Sequence, residues 1–382
     1  MVASTNVVVI GGGVIGTSVA YYLSKAKMNV TLLERRELAS EATGSNYGGL
    51  PLQTSHSPDL IRESARMYES LGSELGADFE LEHTGSYLLM DNGDQLPMLE
   101  AHAKEMAQHG IQVDILTGRE LREVDPDIAP DVPGGSRCPS GLIVNPMKVA
   151  YAFAAAAKRL GAQVNTFTEV EEVRVDNGQI KSVVSTKGEI ETKFVVLATG
   201  AWAPLLGNKL NLRIPVIPRR GQIIVTEALP PGKIRYMIDA DYLITSSSLE
   251  AVKASTDPKI RLGISAVLTQ PGHGNWLLGT SRDFPGYDKS NTLETLTLIA
   301  RRAVRFLPKL KHVNIIRTMS GLRPFCESGH PIISPVGGIK GLVLATGHHG
   351  EGVGLAPVTG KLVSEIITGR PSMPIEEFGY NV

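Results

Sequence analysis

The apolar positions begin as a short unbroken run, Val7-Val8-Val9-Ile10, and then change period. A run of this length bounded by glycine predicts a strand buried on both faces. After Gly11-Gly12-Gly13, apolar residues recur at helical spacing to about Met28. A second run, Val30-Thr31-Leu32-Leu33, then ends on Glu34. Helical spacing also predicts helices over Pro58–Leu75, Gln95–His109, Met147–Leu160 and Leu293–Phe306. Pro146 suits a first helical turn, and Gly161 closes the helix that follows. Strands are expected at Gly85–Met90, Asp114–Leu116, Gln163–Phe167 and Phe194–Leu197. A hairpin is expected over Val170–Val175 and Ile180–Ser185, turning at Asp176-Asn177-Gly178. From Pro215 to Phe284 the pattern is strand-rich: Gln222–Thr226, Tyr242–Thr245, Ile264–Leu268 and Trp276–Gly279. The end repeats the beginning, with a run at Leu342–Ala345, a glycine turn and a helix from about Gly354 to Thr368. Leu38–Leu52, rich in Ser, Thr, Asn and Gly, predicts no regular element, and Pro126 and Pro130 punctuate Thr117–Asp131.

These elements do not divide into consecutive halves. The α/β pieces are residues 1–80, 143–214 and 325–382; the β-rich pieces are 81–142 and 215–324. The interleaving predicts a fold of class α/β plus β: a discontinuous Rossmann-like nucleotide domain with an inserted antiparallel-sheet domain for substrate. The 382 residues, 42% hydrophobic, suffice for the large core this requires. A formal net charge of −1 without a basic block argues against a nucleic-acid partner. The N-terminal apolar run is too short for a signal peptide or membrane span. Two isolated cysteines, Cys138 and Cys326, form neither a disulfide framework nor a metal motif, so a soluble, cytoplasmic location is expected. The His348-His349 pair has no third ligand at suitable spacing, and no metal is expected.

The first glycine turn carries the clearest chemistry. Gly11, Gly13 and Gly16 form a GxGxxG between a strand and a helix, with an acid ending the next strand. Gly11 permits the tight turn, Gly13 lets backbone approach a pyrophosphate, and Gly16 lets helix pack on strand. The helix N-terminus, at Val14 and Ile15, offers free N–H groups to that pyrophosphate. Glu34 can accept from ribose hydroxyls, with Arg35 and Arg36 beside it. The motif implies a dinucleotide and leaves NAD and FAD open.

Four segments together, Val7–Arg36, Thr168–Pro204, Gly321–Ser334 and Leu342–Gly360, resemble the flavin-dependent D-amino acid oxidase/glycine oxidase superfamily. The resemblance spans the chain and implies bound FAD and oxidation of a Cα–N bond by hydride transfer to flavin N5. It places Val170 at the adenine and Ala198, Thr199, Gly200 and Trp202 against the cofactor. It assigns Thr43, Ser45, Asn46, Gly48, Gly49 and Leu50 to the pyrophosphate, ribityl chain and ring system. It puts Gly347, His348, His349, Gly350, Glu351, Gly352, Val353, Gly354 and Leu355 at the flavin. Helix-terminal N–H groups there would stabilise the negative charge of the reduced ring. Some relatives attach flavin covalently through histidine or cysteine. His56 and Cys326 are out of register for this, so FAD is expected to be non-covalent.

For substrate, the resemblance makes Arg323 of Gly321-Leu322-Arg323-Pro324 the carboxylate clamp; a planar guanidinium offers two parallel donors. His348 and His349 are candidates for assisting amine deprotonation or for lining the pocket, as are His273, Tyr47 and Tyr242. The sequence departs from glycine oxidase at two positions: Gly350 stands where a second arginine is expected, and Val267 where a tyrosine is. A glycine-sized substrate is therefore disfavoured. Leu262–Arg282 looks more like the flavin subunits of opine, proline and hydroxyproline dehydrogenases. The implied substrate is a small amino acid or secondary amine: glycine, sarcosine, proline, hydroxyproline or opine type. The acceptor is oxygen, a dye or a partner subunit, and homo- or hetero-oligomerisation stays open. The competing readings are a flavin-bearing electron-transfer subunit of a heteromeric complex and, more distantly, an NAD-dependent dehydrogenase.

Overall fold

The structure, a computed structural model, describes residues 3–50, 52–245, 255–369, 371–374 and 376–380. Val7–Ile10 lies at the centre of a six-stranded sheet. The spatial order is Gln163–Asn165, Val30–Leu33, Val7–Ile10, Phe194–Leu197, Leu342–Thr346 and Ile332–Pro335. The first five are parallel, and the last is antiparallel to its neighbour. Both faces of the central strand are covered, which is why its sequence is apolar throughout. Val7 and Val9 pack under the helices Val14–Lys25, Pro146–Arg159 and Gly352–Thr368. Val8 and Ile10 pack under the hairpin Val170–Asp176/Gln179–Ser185. The hairpin turn uses left-handed backbone at Asn177 and Gly178, as the Asn-Gly pair anticipates.

A second sheet has eight strands in the order Ile315–Cys326, Val216–Ala228, Asn275–Gly279, Val267–Thr269, Tyr236–Asp239, Ser86–Leu89, Gly134–Cys138 and Asp114–Thr117. Every pair is antiparallel except Tyr236–Asp239 with Ser86–Leu89. The amphipathic helix Leu293–Phe306 covers it through Ile299, Ala303 and Phe306. The polar contribution to that packing is Arg302, which holds Asp91 at 2.6 Å, Asp239 at 2.6 Å and Asp241 at 3.0 Å. The architecture is thus an α/β nucleotide-type domain with an inserted, almost wholly antiparallel sheet.

Three local expectations change. Within Leu38–Leu52, expected to hold no regular element, Gly49–Leu50 is a short strand paired with Leu142–Ile143. Tyr242–Thr245 is not a strand but part of a short helix, Asp241–Thr245. A four-residue apolar run does not distinguish strand from helix, and Asp241 at its start is held by Gln95, Lys259 and Arg302. Thr117–Asp131 contains a helix, Gly118–Val124, started by a capping box between Thr117 and Glu120.

Candidate active site

The parallel sheet reverses strand order between Val7–Ile10 and Phe194–Leu197, and a cleft of about 1390 Å³ opens at the carboxyl ends of its strands. Open α/β sheets bind ligands at this position. Ile10, Leu33, Ala198 and Ala345 form its floor. Two helix N-termini reach its wall, through Gly13-Val14 and through Gly352-Val353. Neither N-cap residue supplies a capping side chain, so the first-turn N–H groups other than that of Val14 are left without an intrahelical partner beside the cleft.

The glycines are required by close approach. A Cβ on Gly11 would lie 2.5 Å from the Ala198 carbonyl oxygen, and one on Gly16 would lie 1.9 Å from that of Gly11. Gly16 therefore packs helix on strand and does not line the cleft. Glu34 does line it, while its carboxylate accepts from the N–H groups of Gly12 at 2.6 Å and Arg36 at 2.8 Å. The acid thus braces the turn from the neighbouring strand. Thr43 Oγ1 accepts from the Val14 N–H at 3.1 Å and ties the Ser40–Tyr47 loop to the helix start.

Of the sequence-derived cofactor residues, Gly11, Gly13, Val14, Ile15, Glu34, Arg35, Thr43, Ser45, Asn46, Val170, Ala198, Thr199, Gly200, Trp202, Arg323, His348, Gly350, Gly352 and Val353 come together on the cleft wall. Others lie behind it. Gly48 abuts the Val144 carbonyl, Gly49 the Tyr236 ring, and Gly354 the Ile61 side chain. Leu50 and Leu355 are core residues. Gly347 packs on Cys326, and Arg36 is an exposed partner of Glu41. His273 pairs with Glu80 on the surface, and Val267 lies in an apolar cluster with Tyr47 and Tyr236. Sequence reading passed over Glu41, Ala42, Ala201 and Gly221, which also line the cleft. Ala42 and Ala201 adjoin the motifs that were read; Gly221 carries no signal until its strand pairing is known.

A smaller pocket of about 340 Å³ shares Arg323, His349 and Gly350 with the cleft and adds His56, Arg219, Tyr242, Arg282, Phe325 and Glu351. Arg323 stands at the junction. Its guanidinium donates to Ser281 O at 3.0 Å and to Thr280 Oγ1 at 2.5 Å, and the Tyr47 side chain lies beside it. It lies over Gly221, where any Cβ would meet it within 2.5 Å. Among the described residues no carboxylate lies within ion-pair distance of Arg323. Gly350 sits beside it; a Cβ there would be 3.6 Å from Arg323 Nε.

Burial dominates the electrostatics. It pushes His348 down to about 3, against a modest opposing effect of Glu351. Burial and the adjacent His56 push His349 down to about 4. Both imidazoles are therefore neutral at neutral pH. His348 Nε2 lies 3.0 Å from Thr359 Oγ1 inside the last helix, and His349 Nε2 faces the Cys326 backbone. Burial opposes ionisation of Glu351, but hydrogen bonds from His56 and Ser55 outweigh it and hold its carboxyl below the ordinary range.

Fold and cleft define a protein of the dinucleotide-binding class. The model of the family described as FAD dependent oxidoreductase matches residues 6–366, and the chain belongs to that family. It is similar to a glycine oxidase of Pseudomonas aeruginosa, 31% identical over 96% of each chain. It is also similar to the hydrogen cyanide synthase subunit HcnC of the same organism, 27% identical over 95% of this chain and 92% of the relative. The solved L-proline dehydrogenase from P. horikoshii superposes with a TM-score of 0.88 at 27% identity, covering 99% of this chain and 97% of its own.

The cofactor is accordingly FAD, and the cleft fits it. Thr199 Oγ1 is buried on the wall with no hydrogen-bond partner among the described residues. Gly200, at φ +52°, leaves open space where a side chain would stand. The protein is an FAD-dependent oxidoreductase of glycine oxidase type. Among the described residues, no helix is long and apolar enough to cross a membrane.

Proposed function

We propose that the protein oxidises the Cα–N bond of a small amino acid or secondary amine whose carboxylate is held by Arg323. The observation that carries this is a guanidinium oriented by Ser281, Thr280 and Tyr47 with no carboxylate partner among the described residues, at the mouth of the small pocket. A planar fork fixed in this way can take a substrate carboxylate through parallel donors and orient the adjacent carbon. FAD, when bound, accepts the hydride from that carbon. The chain's residues supply position and charge. Gly11, Gly13, Val14 and Thr199 would hold the nucleotide portion, and Gly350, Gly352 and Val353 would offer backbone to the ring system. His348 and His349 serve as neutral walls and not as bases, since burial keeps both well below neutrality. Gly350 leaves room beside Arg323 for a substrate larger than glycine, such as sarcosine, proline, hydroxyproline or an opine type.

In this reading, residues 1–80, 143–214 and 325–382 form the FAD-binding domain and 81–142 with 215–324 the substrate domain. The enzyme works in the cytoplasm, where the free thiols of Cys138 and Cys326 stay reduced. The FAD is non-covalent: His56 is engaged with Glu351, and Cys326 Sγ with Ser328 Oγ. Acid precipitation should leave the yellow chromophore in the supernatant; flavin retained on the pellet would contradict this.

Arg323→Lys tests the clamp. Replacing the two-donor fork by a point charge should raise KM for the amine roughly 10- to 100-fold, the scale of a lost charged hydrogen bond. An unchanged KM would put the anchor elsewhere. The name of the relative HcnC favours a second reading, a flavin-bearing subunit of a heteromeric dehydrogenase. Turnover of the isolated chain with an artificial dye, absent with oxygen, would support it.

A further inference from the structure

Arg219, Gly221, Gly321 and Arg323 make a square on one face of the inserted sheet. In the antiparallel pair Val216–Ala228/Ile315–Cys326, Arg219 stands opposite Arg323 and Gly221 opposite Gly321. Side chains alternate along a strand, so these four positions share a face, and Arg220, Gln222, Ser320 and Leu322 take the other. That other face carries packing: Arg220 holds Asp283, and Gln222 accepts from the Thr292 N–H at the start of Leu293–Phe306. On the first face, Gly221, Gly321 and Arg323 line the cleft.

A glycine inside a strand weakens it, and marks a place where another group comes close. Neither Gly221 nor Gly321 has a positive φ, so the left-handed backbone that glycine permits does not account for them. Two different groups come close instead. The Arg323 side chain crosses the square diagonally, a span that long side chains reach, and lies over Gly221. A Cβ on Gly221 would be 2.2 Å from its Nη1 and 2.4 Å from its Nη2. Over Gly321 stands Ser45, whose Cβ would be 2.7 Å from a Cβ there. Ser45 belongs to the loop that Thr43 ties to the first helix.

We propose that Gly221 is a positioning residue for the substrate carboxylate: the space left by its missing side chain is the seat of the Arg323 fork, while Gly321, directly across, is the corresponding seat of the cofactor loop. This rests on the assignment of Arg323 as the clamp. A methyl group at 221 meets only the end of a flexible side chain, so the chain folds and the fork is displaced from Thr280 and Ser281. A methyl group at 321 meets a Cβ, so the Ser40–Tyr47 loop itself must move. The two glycines thus separate the two ligands: position 221 governs the amine, and position 321 governs FAD.

The test compares Gly221→Ala, Gly321→Ala, Arg323→Lys and the double variant Gly221→Ala/Arg323→Lys with the unmodified protein. FAD affinity is read from flavin fluorescence on reconstitution. Carboxylate binding is read on the FAD-loaded protein from the flavin absorption spectrum. The probe is methoxyacetate, N-methylglycine with an ether oxygen in place of nitrogen, and methoxyacetamide is the uncharged control. Gly221→Ala should weaken methoxyacetate binding at least tenfold, the scale of a lost charged hydrogen bond, and leave FAD affinity within twofold. Gly321→Ala should weaken FAD binding at least tenfold. In the Arg323→Lys background, Gly221→Ala should cost less than a further twofold, because a lysine needs no seat; a purely structural role would be indifferent to residue 323. Methoxyacetate binding within twofold of normal in Gly221→Ala overturns the proposal. So does an equal loss in both backgrounds, loss of FAD from Gly221→Ala, or unchanged FAD affinity in Gly321→Ala. If Arg323→Lys alone leaves methoxyacetate binding unchanged, or the unmodified protein binds the acid no better than the amide, the clamp itself falls and this proposal with it.

Discussion

At the scale of single residues, the site separates groups that carry charge from groups kept neutral. Arg323 spends donors on a backbone carbonyl and a threonine hydroxyl and lies beside a tyrosine, none of them anionic, so its charge has no carboxylate partner among the described residues. His348 and His349 show the opposite treatment. Burial lowers both, so below about pH 6.5 the unfolded chain binds more protons at these positions than the folded one. Their contribution to stability is fully present above about pH 6.5 and is lost as pH falls towards 4 for His349 and 3 for His348. Each should contribute a slope of about 1.4 kcal/mol per pH unit within that window. Glu351, held below its ordinary range, acts in the same direction at lower pH. The melting temperature should therefore fall steadily from pH 7 to pH 4.5, and less steeply in His349→Gln. A Tm constant over that range would contradict neutral burial of the pair. The same displacement predicts that His348→Ala will not remove an ionisation from the pH–rate profile near neutrality.

At the scale of elements, the inserted sheet and its covering helix are joined by one ionic node. Arg302, 9% exposed, serves Asp91, Asp239 and Asp241 at once, and Arg305 adds a bond to Asp91 at 3.0 Å. Arg302→Met should destabilise the protein by about 3–5 kcal/mol, because it leaves Asp239 buried without its cation. Thermal unfolding would register this as a drop on the order of 10 °C; a loss below 2 °C would mean that apolar packing alone holds the helix. This node also shows what the sequence could reveal. The helix Leu293–Phe306 was legible from its apolar stripe, as was Val7–Ile10 from its unbroken run. Arg302 looked like any residue on a polar face, since its partners come from three distant segments. Of Val216–Ala228 only Gln222–Thr226 was legible, and Ile315–Cys326 was not, for a related reason: Gly221, Pro218 and Pro324 interrupt their pattern. The cleft wall was largely legible because glycine turns leave local signatures. The pairing of Arg219 with Arg323 was not, because register between strands about a hundred residues apart has no local trace.

At the scale of the molecule, cofactor and substrate sites are built from chain segments that alternate between two sheets. The cleft draws on Gly11, Thr43, Thr168, Thr199, Arg323 and Gly352, and the small pocket on His56, Arg219, Arg282 and Glu351. In the proposed reading, an amine held at Arg323 would be presented towards the cleft by the inserted sheet, while the α/β unit would hold the FAD. The central strand Val7–Ile10 pairs with Phe194–Leu197, which pairs in turn with Leu342–Thr346. These are contacts of very long sequence separation, the kind that form slowly. A growing chain therefore presents its glycine turn early but lacks the floor and the second helix N-terminus until Ala345 and Gly352 have left the ribosome. Flavin capture belongs to the end of synthesis, and the half-made protein spends most of its assembly with an apolar strand awaiting its neighbours.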